Sequence, residues 1–313
     1  MTLNFDPEVA DVLAQLGGTD AFQPPRGDVE GRRAFWEPIL AASSAAQPFP
    51  EEVQMSDHHA TADDGTQIQM RWYTKESAAP SPAVVYFHGG GYFFGHIDHF
   101  DGTVARYVSA SGVPMLSVEY RRAPEHPFPT PVKDGYAALN WLHDHAIELG
   151  VDPNRIGVMG DSAGGGMAAA LSILARDRGG PQIARQILVM PMLDDRTNAP
   201  DPHLAPFIYN YGDLVTGWQA LLGDAVGGPD VPPTAAPARL EDATGLPPAY
   251  IEVGQLDLFR DEDTAYATKL SRAGVPVEFH LHPGVPHEFD SIAYDSDVAR
   301  RAIADRVRVL KSI

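Results

Sequence analysis

The chain has 313 residues, no cysteine and a formal net charge of −19 at pH 7. Without cysteine there are no disulfides, thiolate metal sites or cysteine nucleophile. So negative a charge argues against nucleic acid or an anionic membrane surface as a partner, because both attract clustered Lys and Arg. The chain has neither the apolar stretch that spans a membrane nor a signal-peptide pattern at its start, so we expect a cytoplasmic protein.

The first 50 residues are predicted to be helical and loosely attached to the rest. Pro7 opens a segment with apolar residues at helical spacing that ends at Gly17-Gly18, and a second helix is predicted over residues 32–42. The Pro48-Phe49-Pro50 stretch is interpreted as a linker. An amphipathic helix in this place packs on the core or covers an active site as a lid, and both interpretations stay open here.

Strands and helices then alternate along the chain. Strands are predicted over residues 53–60, 68–73, 83–87, 113–120, 156–159, 186–193, 250–253 and 277–281. Helices are predicted over residues 130–150, from 165 onward, over 261–273 and over 297–310. This alternation predicts an α/β fold with a mostly parallel central sheet flanked by helices.

A region rich in Pro and Gly interrupts this alternation from residue 195 to about 240 or 245, with a helix near Asp213–Leu222. Because the strand and helix pattern resumes afterwards, we interpret the region as an insertion rather than an interdomain linker. The predicted organisation is therefore an N-terminal helical segment over 1–50 and a catalytic domain over 51–313, with an insertion at about 195–240.

The sequence Gly160-Asp161-Ser162-Ala163-Gly164 lies between a short apolar strand and a helix that begins with very small residues. A serine in so tight a strand-to-helix turn holds its hydroxyl clear of the sheet, and its neighbours must be small. This arrangement resembles the nucleophile elbow of the α/β-hydrolases. A serine hydroxyl needs a base to take its proton. Among the twelve histidines, we favour His287, which follows the last predicted strand, where α/β-hydrolases carry the base.

The acid that orients the base is expected on a loop between Ser162 and His287. We favour Asp257, which follows the predicted strand 250–253, and keep Asp194-Asp195, after the preceding strand, as the alternative. Asp261 and Glu262 are interpreted as carboxylates at a helix start.

Three other features bear on the predicted site. His280 and His282 are interpreted as structural residues within a strand, and His96 and His99 lack the third ligand of a metal site. His88-Gly89-Gly90-Gly91 follows the predicted strand 83–87, where small residues let backbone N–H groups approach a substrate oxygen. A dinucleotide-binding loop would need glycine where Phe94 stands.

These motifs, with the Tyr120–Pro129 segment, resemble those of the hormone-sensitive-lipase-like branch of the α/β-hydrolases, the bacterial family IV carboxylesterases. The resemblance implies Ser162 as nucleophile, His287 as general base and acid, and Asp257 as its orienting partner. It also implies an oxyanion hole formed by the N–H groups of Gly90, Gly91 and Ala163, with His88 as a structural residue. A helical cap from the N-terminal segment and the insertion, and a possible homodimer along the sheet edge near the last strand, are further implications.

The chain departs from the family pattern at three places. Leu258-Phe259 follows Asp257 where Pro-Leu is frequent, Arg122 replaces an aliphatic residue and Tyr92 a frequent tryptophan. These departures bear on substrate preference, since none removes a catalytic group. Aromatic pocket walls are predicted from four residues: Tyr92, Phe93, Phe207 and Tyr211.

The predicted function is a serine carboxylesterase that cleaves short-to-medium acyl esters without a cofactor, with a small-molecule ester as its partner. A lactonase, an amidase or an acyl-peptide hydrolase would use the same three residues. A non-catalytic ligand receptor on the same fold is disfavoured, because such receptors typically lose the base and His287 is present.

Overall fold

The computed structural model describes residues 4–15, 24–46, 49–76, 80–199, 201, 204 and 209–313. In these ranges one sheet contains the strands β1 Gln54–Thr61, β2 Gln67–Thr74, β3 Ser81–Phe87, β4 Met115–Val118, β5 Val151–Asp161, β6 Arg185–Val189, β7 Ala249–Gly254 and β8 Val277–His282. The α-helices are α1 Pro7–Gln15, α2 Val29–Ala46, α3 Asp101–Ser111, α4 Thr130–Asp144, α5 Ala163–Arg178, α6 Tyr211–Leu222, α7 Arg260–Arg272, α8 Phe289–Ile292 and α9 Asp297–Leu310. Short 3₁₀ turns lie at Ile97–Phe100, Gly223–Ala225 and Pro237–Arg239.

The sheet has the strand order β1-β2-β4-β3-β5-β6-β7-β8. Strand β2 pairs antiparallel with β1 and β4, and all other neighbours are parallel. Val85 of β3 pairs with Val158 of β5, and both side chains are fully buried because helices cover the two faces of the sheet. The prediction of a mostly parallel sheet flanked by helices is confirmed.

The parallel strands all end at the same edge of the sheet, and the loops that carry the candidate residues follow them. His88 comes directly after β3, Ser162 after β5, Asp257 three residues after β7 and His287 five residues after β8. In open α/β sheets the crevice outside the carboxyl ends of the strands is where ligands bind.

Several elements differ from the sequence predictions, among them α3, α4 and β6. Helix α3 was not predicted, although Val104, Tyr107 and Val108 recur at helical spacing and are buried. Helix α4 ends at Asp144. The Ala146 amide bonds the carbonyl of His143, three residues back rather than four, and turns follow as far as Gly150. Strand β6 ends at Val189, since Met190 has a positive φ of 39° and leaves the extended conformation.

The N-terminal helices pack on the rest of the molecule through polar as well as apolar contacts. Helix α2 runs over residues 29–46, longer than the predicted 32–42, and contacts α6 through a buried ion pair between Arg32 and Asp213. The indole of Trp36 donates a second hydrogen bond to Asp213 at 3.0 Å. The predicted end of the first helix at Gly17-Gly18 lies outside the described residues. Among the described helices, none is long and apolar enough to cross a bilayer.

Candidate active site

The turn between β5 and α5 holds Ser162 in an unusual backbone conformation, with φ 55° and ψ −119°. The flanking glycines are required by close packing rather than by flexibility. A Cβ on Gly164 would overlap the carbonyl oxygen of Phe87 at the end of β3, and one on Gly160 would overlap the carbonyl of Gly164. The turn can therefore lie against β3 only if both positions lack a side chain, and the serine remains at its apex.

Three side chains from separate loops meet at this turn. The Oγ atom of Ser162 lies 2.9 Å from Nε2 of His287, and Nδ1 of the same ring lies 2.8 Å from Oδ2 of Asp257. The other oxygen of Asp257 accepts the backbone N–H of Phe259 at 2.9 Å, which fixes the carboxylate in place. With one ring nitrogen directed at the carboxylate and the other at the hydroxyl, the geometry suits proton removal from Ser162.

Two opposing effects act on the pKa of His287. Burial disfavours the imidazolium and lowers the pKa, whereas the charge and hydrogen bond of Asp257 stabilise the imidazolium and raise it. The balance raises the pKa of His287 above its ordinary value of 6.5. The site therefore holds a base that is stronger than a free imidazole.

The alternative acid does not reach the base. Asp195 is buried in an ion pair with Arg239, with an Oδ1 to Nε distance of 2.6 Å, and Asp194 binds Arg196 at 2.7 Å. Asp195 therefore joins the chain after β6 to the Arg239 segment, whereas the Asp194 carboxylate bonds within its own turn. The structure thus brings Asp257, and not Asp194-Asp195, to His287.

The remaining histidines and acids singled out from the sequence occupy other places. His280 contacts Glu278 at 2.8 Å and His282 contacts Glu252 at 3.5 Å. His96 contacts Glu119 at 3.0 Å, and in the described part of the chain it belongs with His99 to no group of three clustered metal-ligating side chains. Asp261 and Glu262 lie in the first turn of α7, as predicted.

The loop after β3 carries backbone N–H groups next to Ser162. Gly90 and Gly91 have positive φ values of 121° and 56°, and a Cβ on Gly90 would overlap the carbonyl of Phe94. Within the described residues, no protein acceptor takes the N–H of Gly90, Gly91 or Ala163. These three donors are the ones that the family resemblance implies for an oxyanion hole.

His88 supports this loop from below. Its ring stacks on Tyr120 at a centroid distance of 4.4 Å, its Nδ1 lies 2.7 Å from the carbonyl of Gly89, and the Tyr120 hydroxyl donates to the His88 carbonyl at 2.9 Å. Burial lowers the pKa of His88 to about 4, so its ring is neutral at physiological pH.

A cavity of about 510 Å³ opens above Ser162 and His287. The cavity is mostly apolar, and its volume is within the range that holds small organic ligands. Its aromatic and aliphatic walls comprise Trp36, Ile39, Leu40, Phe94, Phe100, Tyr209 and Ile292.

Of the four wall residues predicted from the sequence, the three that the structure describes do not line this cavity. Phe93 is fully buried against Phe94. Tyr92, with a φ of 68°, packs its ring on Trp218 of α6. Tyr211 lies at the start of α6 and accepts a hydrogen bond from the amide of Asp201. Phe207 lies outside the described residues.

Sequence reasoning missed the residues that do line the cavity. Trp36, Ile39 and Leu40 recur at helical spacing on α2, which was the available signal, but nothing in the sequence indicates which way that face points. Glu288, directly after the favoured base, was also overlooked as a lining residue.

Fold and site together define an α/β-hydrolase with the arrangement of a serine hydrolase. A family model described as the alpha/beta hydrolase fold matches residues 84–291. The chain is 35% identical to carboxylesterase NlhH of Mycobacterium tuberculosis, over 97% of this chain and 96% of the relative. It is 32% identical to ethyl acetate hydrolase of Pseudomonas putida, over 83% and 82% of the two chains.

The solved structure of a bacterial heroin esterase superposes with a TM-score of 0.89 at 35% identity, covering 99% of this chain and 98% of the other. An esterase from the archaeon Pyrobaculum calidifontis superposes with a TM-score of 0.85 at 31% identity, covering 99% of each chain. The chain therefore belongs to the hormone-sensitive-lipase-like carboxylesterases of the α/β-hydrolase family.

Proposed function

We propose that this carboxylic ester hydrolase cleaves short-to-medium acyl esters by way of a covalent acyl-enzyme on Ser162. The observation that carries the proposal is the bridging position of the His287 ring, 2.9 Å from the Ser162 hydroxyl and 2.8 Å from the Asp257 carboxylate, at the floor of an apolar cavity. No bound group is needed to activate the nucleophile in this arrangement.

In the first half of the reaction, His287 takes the proton of Ser162 as Oγ attacks the ester carbonyl carbon. The carbonyl oxygen becomes negatively charged and accepts hydrogen bonds from the free N–H groups of Gly90, Gly91 and Ala163. The intermediate collapses, the bond to the alcohol breaks, and His287 returns the proton to the leaving oxygen. The acyl group stays on Ser162.

In the second half, water occupies the place that the alcohol has left. His287 takes a proton from this water, which attacks the acyl carbon, and the proton then returns to Ser162 as the acid departs. Asp257 accepts the hydrogen bond of Nδ1–H and so holds the ring in the tautomer that leaves Nε2 free to take the proton. The free enzyme is restored after each turnover.

The cap and the size of the substrate are parts of the same proposal. Helix α2 and the segment around Tyr209 supply cavity walls, which supports a cap built from residues 1–50 and the insertion at about 195–240. A cavity of about 510 Å³ suits a short or medium acyl chain better than a long one. Lactones and amides present the same carbonyl carbon and are separated from esters by assay.

The test measures hydrolysis of p-nitrophenyl esters of increasing acyl length by the unmodified protein and by Ser162→Ala. Removal of the nucleophile is expected to lower kcat by about 10⁴-fold or more. Ser172→Ala on the same helix is the control, since its hydroxyl only bonds the carbonyl of Ala168 at 2.9 Å. Undiminished turnover by Ser162→Ala would show that Ser162 is not the nucleophile. An unmodified protein that binds these esters but does not cleave them would indicate a receptor.

A further inference from the structure

Glu288 is the one carboxylate among the described residues that line the cavity, and the other titratable side chains there, apart from Tyr209, are His99 and His287. It directly follows the base in the chain, lines the same cavity as Ser162, and its side chain keeps 31% of its surface exposed. The described lining residues include no Lys or Arg. A negative charge in apolar surroundings without a cationic partner costs free energy, which suggests that Glu288 has a role in the site.

The backbone holds this carboxylate beside the nucleophile. Glu288 has a φ of 56°, a left-handed conformation that costs a residue other than glycine about 1 kcal/mol. Its amide hydrogen points to the sulfur of Met190 at 3.0 Å. Its Oε1 lies 3.9 Å from Nε2 of His287, the same nitrogen that contacts Ser162.

The carboxylate is anchored on one oxygen and open on the other. Ser291 donates its hydroxyl to Oε2 at 3.2 Å, whereas Oε1 faces the space above Gly89 and would lie 3.7 Å from a Cβ at that position. A substrate seated on Ser162 therefore comes within reach of Oε1. A side chain aimed in this way can select among substrates.

Among the described residues, Glu288 forms no ion pair with a Lys or Arg side chain. Arg306 is the buried cation of this region, and it donates to Glu252, Tyr107 and Asp290. Asp290 adds a further negative charge. Burial and the Asp290 charge raise the pKa of Glu288, and His287, the Ser291 hydroxyl and Arg306 offset this only in part. A cation in the cavity would therefore stabilise the ionised form that burial disfavours.

The aromatic rings of the cavity complete the environment that ammonium groups prefer. Trp36 and Phe94 stack at a centroid distance of 5.6 Å, and Tyr209 lies 5.1 Å from the His287 ring. Ring faces attract cations, and sites for quaternary ammonium groups combine such rings with a carboxylate. Both elements line this one cavity.

We infer that Glu288 is a specificity-determining residue that favours esters carrying a positively charged ammonium group over neutral esters of the same shape. This inference rests on the proposed function, because it concerns which esters reach Ser162. Neutral esters still fit the apolar walls. Esters that also carry a free carboxylate group are repelled by Oε1 of Glu288.

The experiment compares two acetate esters that differ only in charge, acetylcholine and 3,3-dimethylbutyl acetate, in which carbon replaces the quaternary nitrogen. The ratio of their kcat/KM values is measured for the unmodified enzyme, Glu288→Gln and Glu288→Asp. We expect the unmodified enzyme to prefer the cation. The Gln variant should lose about tenfold of that preference, the order of effect for a nearby, partly screened charge, and the Asp variant should keep most of it.

Taking the ratio within each variant removes any general loss of folding or rate. Glu148→Gln is the matched control, because Glu148 is exposed in the turns that precede β5, at the opposite end of the strand from Ser162. As a measure of binding alone, the inhibition constant of tetramethylammonium against the neutral ester should rise about tenfold in Glu288→Gln and stay unchanged in Glu148→Gln.

The outcomes separate this inference from the proposed function. If Glu288→Gln shows the same cation preference as the unmodified enzyme, the inference is overturned. The proposed function still stands in that case, provided that hydrolysis of the neutral ester depends on Ser162. A preference of the unmodified enzyme for the neutral ester also overturns it. If the unmodified protein hydrolyses none of the three esters (acetylcholine, 3,3-dimethylbutyl acetate and p-nitrophenyl acetate), the inference and the proposed function are both overturned.

Discussion

At the scale of single residues, the strength of the base depends most on one neighbour, Asp257, with Glu288 and Asp290 adding to its effect. Asp257 raises the pKa of His287 against the lowering effect of burial. The active form of the base is neutral, so activity is expected to fall as the pH drops through this raised pKa. A carboxylate next to the ring thus sets the pH range in which the site works.

We predict that Asp257→Asn lowers kcat/KM by about 10⁴-fold, as in other enzymes with this arrangement, and moves the acid limb of the pH profile to lower pH. The shift follows because the charge that raises the pKa is gone while the burial that lowers it remains. The measurement is kcat/KM for a short p-nitrophenyl ester from pH 4 to 9. An acid limb that stays in place in the variant, or a flat profile in the unmodified enzyme, would contradict the assignment.

Gly164, two residues after Ser162, is a second single-residue feature with a steric cause. We predict that Gly164→Ala destabilises the protein by about 3 kcal/mol or more, because its Cβ would overlap the Phe87 carbonyl and neither backbone can yield. Gly179→Ala is the control: it ends the same helix at φ 59° with open space around it, and costs about 1 kcal/mol. Urea unfolding measures both, and equal losses would argue against the overlap.

At the scale of elements, a buried ion pair joins α2 to α6 and so positions a wall of the cavity. Arg32 and Asp213 are 2% and 0% exposed, and Trp36, which lines the cavity, donates to the same carboxylate. Burying two charges contributes little net stability, but the loss of one partner leaves the other uncompensated. The pair therefore acts mainly to specify how the two helices meet.

We predict that Arg32→Ala destabilises the protein by about 3–5 kcal/mol and raises KM more than it lowers kcat, since Trp36 loses its fixed position while Ser162 and His287 are untouched. Thermal unfolding and steady-state kinetics give the two results. Arg300→Ala removes an exposed partner of Asp297 and is expected to leave both unchanged. Similar melting temperatures for the two variants would show that the buried pair has no such role.

At the scale of the whole molecule, the sheet has two open edges with similar exposed apolar side chains. Strand β8 forms one edge and β1 the other, and each exposes one large apolar side chain, Leu281 at 44% and Met55 at 46%. Unpaired edge strands are templates for pairing with another chain. The family resemblance implies a homodimer along the edge that β8 forms.

We predict that the protein is a dimer in solution and that Leu281→Lys shifts it to the monomer, because a charge at the centre of an edge-to-edge interface is desolvated on association. Met55→Lys makes the same chemical change at the opposite edge and should leave the dimer intact. Light scattering coupled to size-exclusion chromatography gives the mass directly. A monomeric unmodified protein, or a dimer sensitive only to Met55→Lys, would contradict the placement.

The order of strands and helices, and with it the α/β-hydrolase fold, was predictable from the sequence because the buried parallel strands are continuous apolar runs. The tight turn at Ser162 was predictable because only small residues fit beside it. Helix α3 escaped prediction even though its apolar spacing is present. The catalytic roles of Ser162, His287 and Asp257 stay predictions, and the structure adds that their side chains are in contact.

The sequence alone determined which loops follow parallel strands and hence which residues can meet at one edge of the sheet. It favoured Asp257 over Asp194-Asp195 without excluding the alternative, and it indicated Tyr92 and Phe93 as cavity walls where the structure has Trp36 and Phe94. Those distinctions depend on the direction of each side chain, which is set by contacts between elements far apart in the chain, such as α2 with α6. Local patterns carry the periodicity of an element, but only tertiary packing decides what its faces meet.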